Sequence, residues 1–170
     1  MRRSRADLPW AELVGHAPSR ARYTAKVFRR GDGQCWYWTG GISSTGHGKF
    51  RAGTGDWSEV VSAHEYGYAV EHGHQALIDT PVIRHTCDSP SCCNPRHWLP
   101  GTRQDNVLDY ASRSRLAGHA LADVRGPRGR ADAIREAILA AKPDEVEAAI
   151  REAIRAGQPG GAQQDGLWEV

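Results

Sequence analysis

Between positions 85 and 106 the chain concentrates side chains that bind metals or move protons. Cys87, Cys92 and Cys93 lie within seven residues, and His97 follows shortly after them. Thiolates and imidazoles are the ligands that zinc prefers in closed, tetrahedral structural sites. Cysteines crowded in this way beside a histidine indicate a metal site rather than a disulfide framework.

A fourth ligand is available upstream, where Cys35 precedes an aromatic-rich segment predicted to be a strand. Cys35, Cys87, Cys92 and His97 would supply three thiolates and one imidazole to a structural Zn²⁺. The loop 87–97 can wrap three of them around one ion, and the distant cysteine would then attach the N-terminal sheet to the core. Cys93 is an alternative to Cys92, because two adjacent cysteines rarely bind the same zinc ion.

His85 and Asn106 are not needed for this zinc site. An imidazole can remove a proton from water, and an amide oxygen is a hard ligand for Mg²⁺. The predicted strand 81–86, a second strand at 97–99 and a helix from Arg103 form a ββα unit, with the imidazole opposite the amide. Alone, each side chain would most simply be structural; together they suit phosphodiester hydrolysis.

The run RHTCDSPSCCNPRHWLPGTRQDN resembles the core of the His-Cys box homing endonucleases, a branch of the HNH or ββα-metal nucleases. That family has a histidine followed by Cys at plus two, Cys at plus seven, His at plus twelve and Asn at plus twenty-one, and His85 and the residues after it match every spacing. The segments CWYWTGGISSTGHGKF and AHEYGYAVEHG also resemble small HNH proteins common in phage genomes. The resemblance covers roughly residues 35–115.

The resemblance implies an α+β fold with a ββα-metal core, one structural zinc and a C-terminal helical pair. It implies a Mg²⁺-dependent DNA endonuclease that leaves 5′-phosphate and 3′-hydroxyl ends, with His85 as general base and Asn106 as ligand of the catalytic Mg²⁺. Such enzymes hold the scissile phosphate with an arginine from the upstream sheet; Arg51 is the nearest candidate, followed by Lys49 and Arg84. Arg84 stands where many HNH enzymes have a metal-binding acid, and no cysteine follows Cys93 to form a second zinc cluster.

Positive charge is unevenly distributed along the chain. Residues 1–30 contain eight Arg or Lys against two acids, and residues 102–135 contain seven against four, whereas the other segments are net acidic. Arginine suits bidentate contacts with phosphate, so we expect double-stranded DNA as the partner. The predicted DNA contacts are Arg2, Arg3, Arg5, Arg29, Arg30, Lys49, Arg51, Arg113 and Arg115.

A different class of function remains open at this stage. A zinc-stabilised DNA-binding protein without cleavage activity would retain the zinc loop and the basic segments but would have no need of His85 and Asn106. Nothing in the sequence resembles a module that reads RNA.

The length of 170 residues favours one domain with appended segments. No apolar run is long enough for a membrane helix and the N-terminus lacks a signal-peptide core, so we expect a soluble, cytoplasmic protein of bacterial or phage origin. The narrow apolar stripes of the C-terminal hairpin must dock either on the core or on a second copy, which would make a homodimer. The predicted segments are a basic arm at 1–30, a zinc-stabilised nuclease domain at 31–117, a basic linker at 118–130, a helical hairpin at 131–157 and a flexible tail at 158–170.

Overall fold

A computed structural model describes residues 4–113 and 118–159 of the chain. It combines helices with short, separate antiparallel strand pairs, which confirms the expected α+β class. The helices are α1 (Trp10–Gly15), α2 (Ala17–Ala25), α3 (Ala63–His72), α4 (His74–Asp79), α5 (Arg103–Arg113), α6 (Gly126–Ala140) and α7 (Val146–Arg155), and the strands are β1 (Val27–Phe28), β2 (Tyr37–Trp38), β3 (Lys49–Ala52), β4 (Glu59–Ser62), β5 (Val82–His85) and β6 (Trp98–Gly101).

The larger core is built mainly from aromatic rings rather than aliphatic side chains. Trp38, Phe50, Tyr66 and Tyr23 pack with ring centroids 4.7–5.7 Å apart, in tilted or edge-to-face arrangements. Such pairs contribute beyond the area that they bury. The glycine-rich segments can therefore surround a solid core although the chain has few large aliphatic residues there.

The expected basic arm at 1–30 is not an arm where the structure describes it. Trp10 and Leu13 of α1 are fully buried in the larger core, and Tyr23 of α2 joins them. Their spacing places them on the inner faces of two short helices. In the sequence, the many arginines of this segment hide this apolar pattern. The N-terminal segment from Ser4 onward therefore belongs to the domain.

The segment from β5 to α5 forms the predicted strand–strand–helix unit. β5 pairs antiparallel with β6, and His85 lies opposite Trp98 at the end of the pair. Thr102 and Asp105, whose types and spacing in the sequence predict a capping box, form one at the start of α5, with three hydrogen bonds of 2.8–3.1 Å between them. The sequence predicts that this helix runs to about Leu116, which lies outside the described residues; the structure describes it as far as Arg113.

The C-terminal region departs from the predicted boundaries. α6 begins at Gly126, inside the segment expected to be a linker. Pro127 suits the first turn of a helix, because its fixed φ is helical and the N–H that it lacks would have no partner there. Ile134 and Ile150 of α6 and α7 pack against Tyr37 of β2 in a second apolar cluster. The hairpin therefore docks on the chain's own sheet.

Among the described residues, no helix is long and apolar enough to cross a membrane. The predicted flexible tail lies outside the described residues except for Gln158 and Pro159. The predicted domain boundaries otherwise remain predictions.

Candidate metal centre and active site

Cys35, Cys87, Cys92 and His97 converge at one point, and their ligand atoms all lie within 4.8 Å of one another. The Nδ1 atom of His97 is 3.7 Å from Sγ of Cys35 and 3.5 Å from Sγ of Cys92. Ligands of a tetrahedral zinc ion, with bonds of about 2.0–2.3 Å, would be separated by roughly 3.5–3.8 Å. The residues present therefore fit a metal ion such as zinc.

Asn94 is the residue that brings Cys35 to the loop, and sequence reasoning missed it. Its fully buried side chain donates hydrogen bonds from Nδ2 to the carbonyl oxygens of Asp32 and Gln34, at 2.9 and 2.7 Å. Its Oδ1 accepts a 3.0 Å hydrogen bond from the backbone N–H of Arg96. One amide thus joins the turn before Cys35 to the loop that carries the other ligands.

The protonation of the cysteines also suits a cation. Hydrogen bonds from the Cys87 and Cys92 thiols, with His97 nearby, hold the pKa of Cys35 far below its usual value. Hydrogen bonding and charge repulsion from Cys35 raise the pKa of Cys87 and Cys92. Negative charge on one sulfur makes it harder for the next thiol to lose its proton. A divalent ion bound among the sulfur atoms would supply the positive charge that lets all of them ionise.

The neighbouring Cys93 takes no part in this cluster. Its side chain is buried in the larger core, and burial raises the pKa of its thiol to about 12. Successive side chains of an extended segment point to opposite sides. The structure therefore groups Cys92, not Cys93, with the other three ligands.

Beside the metal centre lies a cavity of about 240 Å³. His85 at the end of β5 and Asn106 in the first turns of α5 both line it, so the two residues that sequence analysis paired share one cavity. The wall is completed by side chains from the hairpin before β3, the loop after β5, α5 and the segment before α6: Thr45, His47, Asp88, Pro90, Tyr110, Leu121 and Pro127.

The imidazole of His85 is held in one orientation by the metal-binding loop. Its Nε2 lies 3.2 Å from the carbonyl oxygen of Cys92, which also accepts a hydrogen bond from the indole of Trp98. A carbonyl oxygen only accepts, so Nε2 carries the proton and Nδ1 keeps its lone pair. Burial, and to a lesser extent the charge of His47, lower the pKa of His85 to about 4, which leaves the ring neutral near pH 7.

Two proteins of Escherichia phage T7 are similar to this chain. Protein 7.7 is 33% identical over 85 residues, which make up 49% of this chain and 59% of the relative. Protein 2.8 is 33% identical over 93 residues, 52% of this chain and 58% of the relative. The chain thus spans less than two thirds of the length of these curated relatives, whose numbered names state no activity.

No family model matches the chain, and no solved structure matches it. The likeness to phage proteins agrees with the phage resemblance seen in the sequence, whereas membership of the HNH family stays a prediction.

Asp88 is a cavity residue that the sequence analysis did not single out. Its backbone has a positive φ of 50°, unusual for a residue other than glycine. Its Oδ2 lies 3.1 Å from Nε of Arg113 and 3.2 Å from Nε2 of His119. Burial raises the pKa of Asp88, against the opposing effects of Arg113 and His119. Its position three residues after His85 is the signal that could have revealed it.

Arg84 occupies the position of the expected acid and faces α5. Its Nη1 lies 2.8 Å from Oδ2 of Asp109, so the guanidinium attaches the helix to β5. Arg51 and Lys49 are exposed on β3 but do not line the cavity. The structure therefore does not bring the predicted phosphate-binding arginine to His85.

Several cations expected to contact DNA are already paired within the chain. Arg5 bonds Glu65, Arg30 forms a bidentate pair with Glu147 at 2.5–2.7 Å, and Arg113 binds Asp88 and Asp109. The predicted contacts of these three arginines with DNA stay predictions. Arg29 is exposed and stacks on Trp36, while Arg2, Arg3 and Arg115 lie outside the described residues.

Proposed function

We propose that this chain is a Mg²⁺-dependent DNA endonuclease, with β5, β6 and α5 as a ββα-metal core and zinc bound by the three cysteines and His97. The observation that carries the proposal is the shared cavity of His85 and Asn106. A neutral imidazole with its proton fixed on Nε2 and a side-chain amide both line that cavity, beside a cysteine–histidine cluster that could hold a metal ion and so stabilise the strand–loop–strand connection.

His85 acts as the general base. The Cys92 carbonyl fixes the proton on Nε2, so Nδ1 is the atom that accepts a proton from a water molecule. That water then attacks the phosphorus of a phosphodiester bond, and the bond to the 3′ oxygen breaks. The cut leaves a 5′-phosphate and a 3′-hydroxyl.

Hard oxygen ligands complete the proposed site. The Asn106 amide and the Asp88 carboxylate both line the cavity, and oxygen atoms of this kind are the ligands that Mg²⁺ takes from proteins. Asn106 would hold the ion, which when bound would neutralise charge on the leaving oxygen. Many HNH enzymes have a metal-binding acid directly before the catalytic histidine, where this chain has Arg84. The carboxylate of Asp88 would supply the negative charge in its place.

Double-stranded DNA is the proposed partner. Arg29, Lys49, Arg51 and Arg103 have exposed side chains, and Arg103 opens α5 one turn before Asn106. Phosphate contacts from such residues hold a duplex without reading its sequence. Binding should therefore weaken steeply as salt rises.

Cleavage of supercoiled plasmid with Mg²⁺ or with EDTA tests the proposal. Wild type should nick or linearise the plasmid with Mg²⁺ alone, and DNA ligase should reseal the ends. His85→Ala should lower the rate by on the order of 10²–10⁴, because the general base is lost. The zinc content and thermal midpoint of this variant should remain near those of wild type, since His85 is not a ligand of the metal centre.

His72→Ala, an exposed histidine on α3 outside the cavity, is the matched control and should cut like wild type. Cleavage by His85→Ala at the wild-type rate would disprove the assignment of the base. Salt-dependent binding of duplex DNA with no cleavage by wild type would favour a zinc-stabilised DNA-binding protein instead.

A further inference from the structure

A second imidazole, that of His47, shares the cavity with His85. The two ring centroids are 6.0 Å apart, and the ring of His64 from α3 lies against both, at 4.9 and 4.8 Å. His64 is fully buried, and burial lowers its pKa well below the usual value, so it packs as a neutral ring. The function proposed above makes no use of His47, although it lines the cavity.

The hairpin turn before β3 holds His47 firmly. Its backbone N–H donates to Oγ of Ser43 at 3.1 Å, and its Nδ1 lies 3.0 Å from Oγ1 of Thr45. Gly46 has a φ of 83°, and a Cβ atom there would approach the carbonyl oxygen of Pro127 to 2.7 Å. The turn that carries His47 therefore packs directly against the start of α6.

The outer nitrogen of His47 is available to a ligand. No residue within 4–113 or 118–159 forms a hydrogen bond with its Nε2, whereas Nδ1 is engaged by Thr45. A phosphoryl oxygen offers only lone pairs and so selects the ring form with a proton on Nε2. The Thr45 hydroxyl can donate to Nδ1, which makes that form the neutral tautomer.

The surroundings of His47 suit a phosphodiester. Lys49 and Arg51 alternate along β3 with Phe50 and Ala52, which point into the core, and His47 lies two residues before Lys49 on the approach to the strand. A backbone that enters the cavity at His47 would meet the two exposed cations as it leaves.

We propose that His47 is a further catalytic residue, which donates a hydrogen bond from Nε2 to a non-bridging oxygen of the scissile phosphodiester. This inference rests on the proposed nuclease function. Charge develops on those oxygens as water attacks, so a fixed donor there stabilises the transition state more than the bound substrate. The resemblance implies that an arginine from the upstream sheet holds the scissile phosphate. In this chain the imidazole of His47 would take that role.

Three variants test this role in plasmid cleavage: His47→Ala, His47→Gln and the control His74→Ala on α4, outside the cavity. His47→Ala should lower the cleavage rate by on the order of 10²-fold, the loss typical of one such donor. Duplex affinity, zinc content and thermal midpoint should change little. His47→Gln retains an N–H donor and should recover part of the rate, while His74→Ala should match wild type.

A second measurement does not depend on cleavage. The ¹⁵N resonance of His47 Nε2 in the wild-type protein is followed while a short DNA duplex is added with Ca²⁺ in place of Mg²⁺. A shift of this resonance supports the phosphate contact even if wild type never cuts, in which case only the nuclease proposal fails. If wild type cuts and His47→Ala cuts equally fast, or if no shift appears, the role of His47 is overturned.

Discussion

At the scale of single residues, the most informative side chain is that of Asn94, which is neither a proposed metal ligand nor a proposed catalytic group. Asn94 forms three hydrogen bonds that connect the two segments carrying the metal ligands. The two adjacent cysteines also differ in role: Cys93 packs in the larger core, whereas Cys92 belongs to the candidate metal centre. The geometry of the site therefore depends on residues that supply no ligand atom as well as on the ligands.

Asn94→Ala should weaken zinc binding by about 10–100-fold, the usual effect of losing a group that orients ligands. The carbonyl oxygens of Asp32 and Gln34 would also lose their donor, and the buried site of the side chain would be left with a void, so the thermal midpoint should fall. Competition with a chromophoric zinc chelator measures the affinity. Asn106→Ala, the same change outside the metal loop, should leave zinc affinity unaltered; an equal loss in both variants would contradict the role of Asn94.

At the scale of elements, α5 is held in an unusual way. None of its described residues is buried, and Val107 and Leu108 are more than half exposed. Polar contacts attach it instead, namely the Arg84–Asp109 pair and a 3.1 Å hydrogen bond from Arg113 to the Thr86 carbonyl oxygen. The helix that carries Asn106 therefore depends on a few ion pairs rather than on packing.

Asp109→Ala should loosen α5 without unfolding the core. The amide protons of the helix should exchange faster, while those of α1 and α3 keep their protection. Native-state hydrogen exchange with mass spectrometry measures this, and Gln104→Ala on the same helix is the control. Uniformly faster exchange across the whole chain would show that the pair supports the core instead.

Sequence analysis could locate β5, β6, α5 and the metal ligands, because strand alternation, the Thr102 cap and the ligand spacing are local signals. It could not foresee that Arg30 pairs with Glu147 across 117 positions, since a surface arginine and a buried, paired arginine look alike in sequence. It also missed His47 and Asp88. Both lie inside segments that resemble HNH proteins, but neither is one of the motif positions to which the resemblance gives a role, and His47 reaches the cavity only through long-range packing.

At the scale of the whole molecule, two acids attach the C-terminal hairpin. Hydrogen bonds from Arg30 hold the pKa of Glu147 below its ordinary value. Burial raises the pKa of Asp123, but hydrogen bonds from Arg125 outweigh it and leave that pKa lowered. Arg125 also donates to the Ala153 carbonyl oxygen at 2.7 Å, so this acid connects the segment before α6 to α7.

Both lowered pKa values predict that acid weakens the docking of the hairpin. A carboxylate with a lower pKa in the folded state stabilises fully above its unfolded pKa of about 4, and that contribution is lost as pH falls through the folded value. Thermal midpoints between pH 7 and pH 3 should therefore fall less steeply for Glu147→Gln than for wild type. Any metal bound at the cysteine cluster would be lost from both proteins in acid, so their difference isolates the pair. Asp144→Asn, at an exposed acid, should follow wild type.

The spacing of the metal ligands also sets an order of assembly. Three of them lie within positions 87–97, whereas 51 residues separate Cys35 from Cys87. Closing the longer loop costs roughly 1 to 2 kcal/mol more chain entropy. A metal ion bound first by the short loop would therefore have one coordination position open until Cys35, the ligand nearest the N-terminus, joined it.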